Sequence, residues 1–178
     1  MKTSMLVVGS RGAFLFAIAI ALMVGTAWPV AAQTKKEGTF KGTLGGYGTC
    51  KSMAVGKDRM LLVCEENDFT ITDGFLDHMT ARCWDFVDVT NGMGKPYGTC
   101  VWTDPAGDQI YSDFVHDEMH ANNVKSARGT ITFRGGTGKY AGISGAFPYE
   151  NDYGSFRTAA EGTFVSHIAN FQGNYKLP

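Results

Sequence analysis

The protein is 178 residues long, with 16 Lys and Arg against 17 Asp and Glu and a formal charge of −1. That length fits one domain with a substantial core. A charge so near balance argues against nucleic acid as a partner, because phosphate binding needs clustered Lys and Arg.

Lys2 and Arg11 lead into an apolar run from Ala13 to Val24, and small residues follow at Val30 and Ala32. This order reads as a secretory signal over 1–32, cleaved after Ala32. An uncleaved membrane anchor is the weaker alternative, because the run falls short of the ~20 apolar residues needed to span a bilayer. Cleavage leaves residues 33–178 as a single domain, with no membrane span and with 14 basic against 17 acidic residues, a net charge of −3. The expected location is periplasmic or secreted.

Cys50, Cys64, Cys83 and Cys100 all fall in the exported part. An even count in an oxidising compartment predicts two disulfides, with three possible connectivities. Spacings of 14, 19 and 17 contain no C-x-x-C and so argue against a structural zinc site or a redox dithiol.

Short segments rich in Thr, Val, Ile and aromatic residues alternate with Gly, Asn and Asp, the pattern of an all-β domain. Strands are expected over 38–44, 59–66, 79–89, 97–103, 109–115, 129–134, 143–149 and 161–167, with a short ninth piece at 172–176. In an antiparallel hairpin, opposed residues have a mean number at the turn. The means for consecutive cysteines fall at Lys57, between Asp73 and Gly74, and between Asn91 and Gly92. Asp-Gly and Asn-Gly are strong hairpin signals, so all four cysteines are expected near one line across four adjacent strands. Opposed Cα atoms lie ~4.5–5.5 Å apart, within disulfide reach. Cys50 with Cys64 and Cys83 with Cys100 is the pairing that strands no cysteine, and a Cys64–Cys83 bridge is its competitor. Glu37-Gly38-Thr39-Phe40 and Glu161-Gly162-Thr163-Phe164 open the first and a late strand alike. Such ends suit a meander that closes into a barrel and so removes its exposed edges.

The segment from Arg134 to Gly145, RGGTGKYAGISG, carries five glycines and Lys139. A phosphate loop needs Ser or Thr after the lysine to hold magnesium, and Tyr140 stands there instead. Gly136, Gly138 and Ala141 fit a loose dinucleotide pattern, but no amphipathic helix follows to hold a pyrophosphate. A tight structural turn through Gly135, Gly136, Gly138 and Gly142 is the better reading. Positive φ is expected at the first three, and close backbone approach at Gly142 and Gly145.

The strand Gly129-Thr130-Ile131-Thr132-Phe133 followed by this turn resembles the signature of the allene oxide cyclase and dirigent barrel superfamily. The resemblance is specific over 129–147 and diffuse elsewhere. It implies a single eight-stranded antiparallel barrel, calycin-like in outline and here braced by disulfides, in an exported bacterial member. It also implies a central cavity for a small apolar or aromatic molecule, either bound or steered through cyclisation or radical coupling. The superfamily's acidic catalytic position maps onto no residue here, so the catalytic residues stay unassigned.

His116 and His120 stand four apart, as metal ligands on a helix would, but Asp117 replaces the Glu of the zincin motif and a polar loop is the simpler account. No metal or cofactor is expected. Glu65, Glu66, Arg82, Asp85, Asp113 and His167 interrupt apolar strands and are expected mainly as outer-face charges. Trp84, Trp102, Tyr111 and Arg82 are the candidate cavity-lining residues, with Trp84 and Trp102 expected on opposite faces. The first functional expectation is binding of a small hydrophobic or aromatic molecule without turnover. A cyclase or isomerase, which would need an inward carboxylate or histidine with a shifted pKa, and a non-catalytic envelope interaction module are the alternatives. A homo-oligomer is a further candidate assembly.

Overall fold

The computed structural model describes residues 35–121, 124–159 and 162–178, with side chains described outside 155–161. The expected signal segment lies outside the described residues. Eight long antiparallel strands form the fold: β1 (Glu37–Gly56), β2 (Arg59–Thr72), β3 (Thr80–Thr90), β5 (Tyr97–Thr103), β6 (Gln109–His116), β8 (Ser126–Gly136), β9 (Ala146–Ala159) and β10 (Gly162–Lys176). Two short pieces, β4 (Met93–Gly94) and β7 (Met119–His120), pair at one rim. The order β2-β1-β10-β9-β8-β6-β5-β3 closes through β2 and β3, giving an eight-stranded barrel. No helix among the described residues is long and apolar enough to cross a membrane.

Strict alternation builds the wall. In β3 the residues at 81, 83, 85, 87 and 89 are buried and those between them are mostly exposed. This is the period-2 signature of a sheet with one covered face. The outer face carries cross-strand ion pairs: Arg59 with Asp88, Arg82 with Glu65, Arg134 with Asp113 and Arg128 with Glu150. A charged outer face is the reverse of a lipid-facing barrel.

One end of the barrel is plugged. Phe75 stacks on Tyr175 with ring centroids 3.8 Å apart, and Phe40 meets Phe147 edge-on at 5.0 Å. The 73–79 loop that delivers Phe75 is tied to buried Thr70, whose hydroxyl donates to the Leu76 carbonyl and accepts from the Met79 amide at 3.1 Å. Tyr140, Ile143 and Leu177 complete this apolar plug.

Several expectations are corrected in detail. β1, β2 and β9 run much longer than their segments in the sequence reading, and the pieces at 161–167 and 172–176 are one strand, β10. The segment from His116 to His120, expected as a polar loop, is a loop only at 117–118, between His116 at the end of β6 and the two-residue β7. Disulfides join Cys50 to Cys64 and Cys83 to Cys100, each directly opposed across its strand pair. The two bridges do not share one line, however: Cys64 faces Asp85 and Glu66 faces Cys83. The β2–β3 connection is the longer 73–79 loop rather than a two-residue Asp-Gly turn, and this offsets the register by two. The Asn91-Gly92 turn does form, with positive φ at both residues, as a type I′ hairpin demands.

The glycine segment is a corner. It holds a single 3₁₀ turn, Gly138–Tyr140. Lys139 Nζ lies 2.5 Å from Asp104 Oδ2, so its charge is spent on structure. Positive φ occurs at Gly135, Gly138, Gly142 and Gly145. Gly136 departs from expectation: it lacks positive φ and is small because a Cβ would sit 2.5 Å from the Gln109 carbonyl oxygen.

Candidate functional site

The inward face of β2 presents Glu66, Asp68 and Thr70, and that of β3 presents Asp85. β6 adds Ser112 and His116, β9 adds Tyr149, Asn151 and Tyr153, and β10 adds His167. Away from the aromatic plug, the interior therefore holds a polar cluster among apolar side chains. β1 makes room for it with glycine: a Cβ on Gly46 would fall 1.8 Å from Asp68 Oδ1, and one on Gly48 would fall 2.6 Å from the Glu66 side chain.

A void of about 30 Å³ lies at the centre, room for about one water-sized group. Its polar lining is Glu66, Asp68, His116, Tyr149, Asn151 and His167, and its apolar lining includes Trp102, Phe114, Ile131 and Phe171. Four buried side-chain atoms of its lining residues have no hydrogen-bond partner, Asp68 Oδ1, His116 Nδ1, Asn151 Oδ1 and His167 Nδ1, and inward-pointing Asp85 adds a fifth in Oδ1. Each such atom costs free energy, of order 1–3 kcal/mol. His167 Nε2 stands 3.4 Å from Asp68 Oδ1, an ion-pair rather than a hydrogen-bond separation. Asp68 Oδ2 approaches only the Cys83 sulfur, at 3.5 Å, and a sulfur already in a disulfide has no proton to donate.

Charge crowding sets the protonation. Burial pushes the Glu66 carboxyl up to about 7; positive His167 opposes this and Asp68 adds to it. Burial, then the charges of Glu66 and Asp68, holds Asp85 well above the usual carboxylate range. Burial alone would lower His167, but the contact with Asp68 and the charges of Glu66 and Asp68 outweigh it and raise the imidazole. Burial, reinforced by charged His167, lowers His116 to about 4, so this ring is neutral at pH 7. Burial first, then neighbouring Tyr153 and the carboxylates, raises the Tyr149 hydroxyl, which keeps its proton. Tyr149 Oη and His116 Nε2 are 2.8 Å apart. The hydroxyl must therefore donate to Nε2, leaving the His116 proton on Nδ1, where it has no acceptor.

Of the residues singled out from sequence, Trp102 is inside, 1% exposed, with its indole N–H donating to Ser112 Oγ at 2.7 Å. Arg82, Trp84 and Tyr111 are not inside. They lie on the outer face because their parity is opposite to that of Cys83, Asp85 and Ser112, which point inward. Arg82 sits over the Trp84 ring at 5.3 Å and pairs with Glu65, and the Tyr111 hydroxyl donates to Gln109 Oε1 at 3.2 Å. Glu65 and Asp113 are outer-face charges as expected, but Glu66, Asp85 and His167 turn inward. Asp68, Tyr149 and Asn151 escaped the sequence reading. One signal could have found Asp68, the two-residue steps from Cys64 to Glu66 and Asp68, which share a face; Tyr149 and Asn151 lie on β9, which has no cysteine to mark its inward face.

No family model matches the sequence, and no curated protein matches it. Among solved structures the chain is similar to that of the pterocarpan synthase dirigent protein GePTS1, with a TM-score of 0.47 and 10% identity over 82% of this chain and 90% of that one.

Proposed function

We propose that the chain is an exported, disulfide-braced β-barrel protein that binds a small molecule in the polar half of its interior, without turning it over. The observation that carries this reading is the set of four partnerless buried polar atoms, on Asp68, His116, Asn151 and His167, around one void. Orphaned groups in a finished interior are rare, and a ligand that donates to the carboxylates and accepts from His116 would satisfy them. Phe114, Ile131 and Phe171 line the same void and suit an apolar or aromatic body behind that polar head. A void of about 30 Å³ admits the head alone, so such a body requires these side chains to change rotamer. Two disulfides agree with export to an oxidising compartment.

A second reading is favoured by one observation: a carboxyl, an imidazole and a phenol from β2, β10 and β9 face the same void, the groups that general acid–base isomerisation uses. Native mass spectrometry of protein purified from its host's envelope tests the binding reading. A retained small molecule that disappears in Asp68→Asn is the expected result. A wild-type protein carrying no added mass, with an unchanged melting temperature in Asp68→Asn, overturns it.

A further inference from the structure

From the donor geometry we infer that Glu66, Asp68 and His167 form a divalent-cation site inside the barrel, with Asp85 as a fourth group beside it. The inference rests on the reading that the interior cluster is the binding site, and it names the ion that would sit at its polar centre.

One ligand atom from each of Glu66, Asp68 and His167 lies within 4.8 Å of the other two. An ion with bonds of roughly 2.0–2.2 Å to nitrogen and oxygen holds its ligands about 3–4 Å apart, so a small inward movement of side chains completes the site. The three residues come from two strands separated by β1. At Gly46, which faces both His167 and Asp68 in the pairing register, β1 carries no side chain that could fill the gap.

Asp85 supplies an independent reason. It is 8% exposed, points inward, and has an oxygen with no partner. Because Cys64 faces Asp85 and Cys83 faces Glu66, Asp85 is the diagonal cross-strand neighbour of Glu66. Three carboxyl groups crowd one imidazole in a buried space, and their ionised form is expensive there unless a cation joins it. A void of about 30 Å³ admits an ion at the polar centre without movement of the apolar lining. One imidazole with carboxylates is a borderline donor set. It favours zinc, manganese or iron(II) over calcium or magnesium, which prefer oxygen cages or retained water.

The test is titration of chelator-treated, oxidised full-length mature protein with Zn²⁺ and with Mn²⁺, followed by calorimetry and native mass spectrometry. Uptake of a single ion, with a rise in melting temperature, is expected. Asp68→Asn and His167→Gln should each weaken uptake by roughly 100-fold or more, whereas Glu65→Gln, on the outer face, should leave it unchanged. Far-UV circular dichroism and intact disulfides establish that each variant is folded. Failure of the wild type to take up either ion overturns the cation site, as does uptake that survives in both folded interior variants. If the wild type takes up no ion yet retains an organic molecule that Asp68→Asn loses, the cation fails while interior binding stands.

Discussion

Tyr149 and His116 meet across a strand that separates them. Their side chains are 2.8 Å apart although β9 and β6 are not neighbours. Gly129 of β8 lies between, opposite both residues in the pairing register. A Cβ there would sit 2.7 Å from the Tyr149 ring, so the missing side chain is what lets the ring lie over β8 and reach the imidazole. Gly129→Ala is expected to destabilise the barrel by ~1–3 kcal/mol through overpacking. The same change in a Tyr149→Ala background should cost far less. A double-mutant cycle in urea measures the coupling, and additive effects would show that the ring does not depend on the glycine.

Trp102 gives a second check on the interior. Its N–H is satisfied by Ser112 Oγ, and Ser112→Ala would leave that donor buried and unpaired at a cost of ~1–3 kcal/mol. Trp84→Phe, on the outer wall, should change stability by less than ~0.5 kcal/mol. Chemical denaturation of both variants decides, and equal losses would contradict the opposite facing of the two indoles.

The two disulfides should not be equivalent. Both close short loops, with sequence separations of 14 and 17, and the chain-entropy model assigns each ~3 kcal/mol. Cys83 and Cys100 are each 3% exposed and belong to the core cluster, whereas Cys50 is half-buried near the barrel rim. Replacing Cys83 and Cys100 by serine places two hydroxyls in the apolar core cluster, so this double variant should melt lower than the Cys50 and Cys64 double variant. The reverse order in thermal unfolding would count against the interior placement of the second bridge.

Stability should fall as pH rises through neutrality in chelator-treated protein. The Glu66 carboxyl holds its proton to about 7 in the folded state against 4.5 otherwise, so the folded chain binds more protons in that interval and loses stability across it. Asp85 is also raised and acts in the same sense. His167, raised above 6.5, carries the loss to higher pH. His116 works oppositely, but only between about 4 and 6.5. The contributions therefore compete below pH 6.5 and align above it. The melting temperature is expected to decline from pH 6.5 to about 8.5, and Glu66→Gln should flatten the profile. A wild-type curve that rises over that range would refute the crowding of buried carboxyls.

Much of the wall was legible in the sequence because its signals are local. Period-2 alternation in Thr80–Thr90, the Asn91-Gly92 turn and the glycine corner after Arg134 each depend on backbone preference within a few residues. The disulfide pairs were legible for a related reason, since the spacings of Cys50 to Cys64 and Cys83 to Cys100 reproduce hairpin registers. The Cys64-to-Cys83 step misled, because a loop anchored by Thr70 replaces a tight turn and moves the register by two.

The side of the wall on which a residue falls is another matter. Alternation shows that Glu66 shares a face with Cys64, and that Arg82 and Trp84 share the face opposite to Cys83, but a strand read alone is symmetric between inside and outside. Closure of β3 onto β2 breaks that symmetry by burying one face of every strand together. Only then do Glu66, Asp68, His116, Tyr149 and His167, drawn from four strands spread along the chain, converge on one void. Order along the chain determined the strands, the turns and the sulfur pairs. The gathering of charge inside was decided by long-range closure, because solvation cost attaches to a face only once that face is shut away from water.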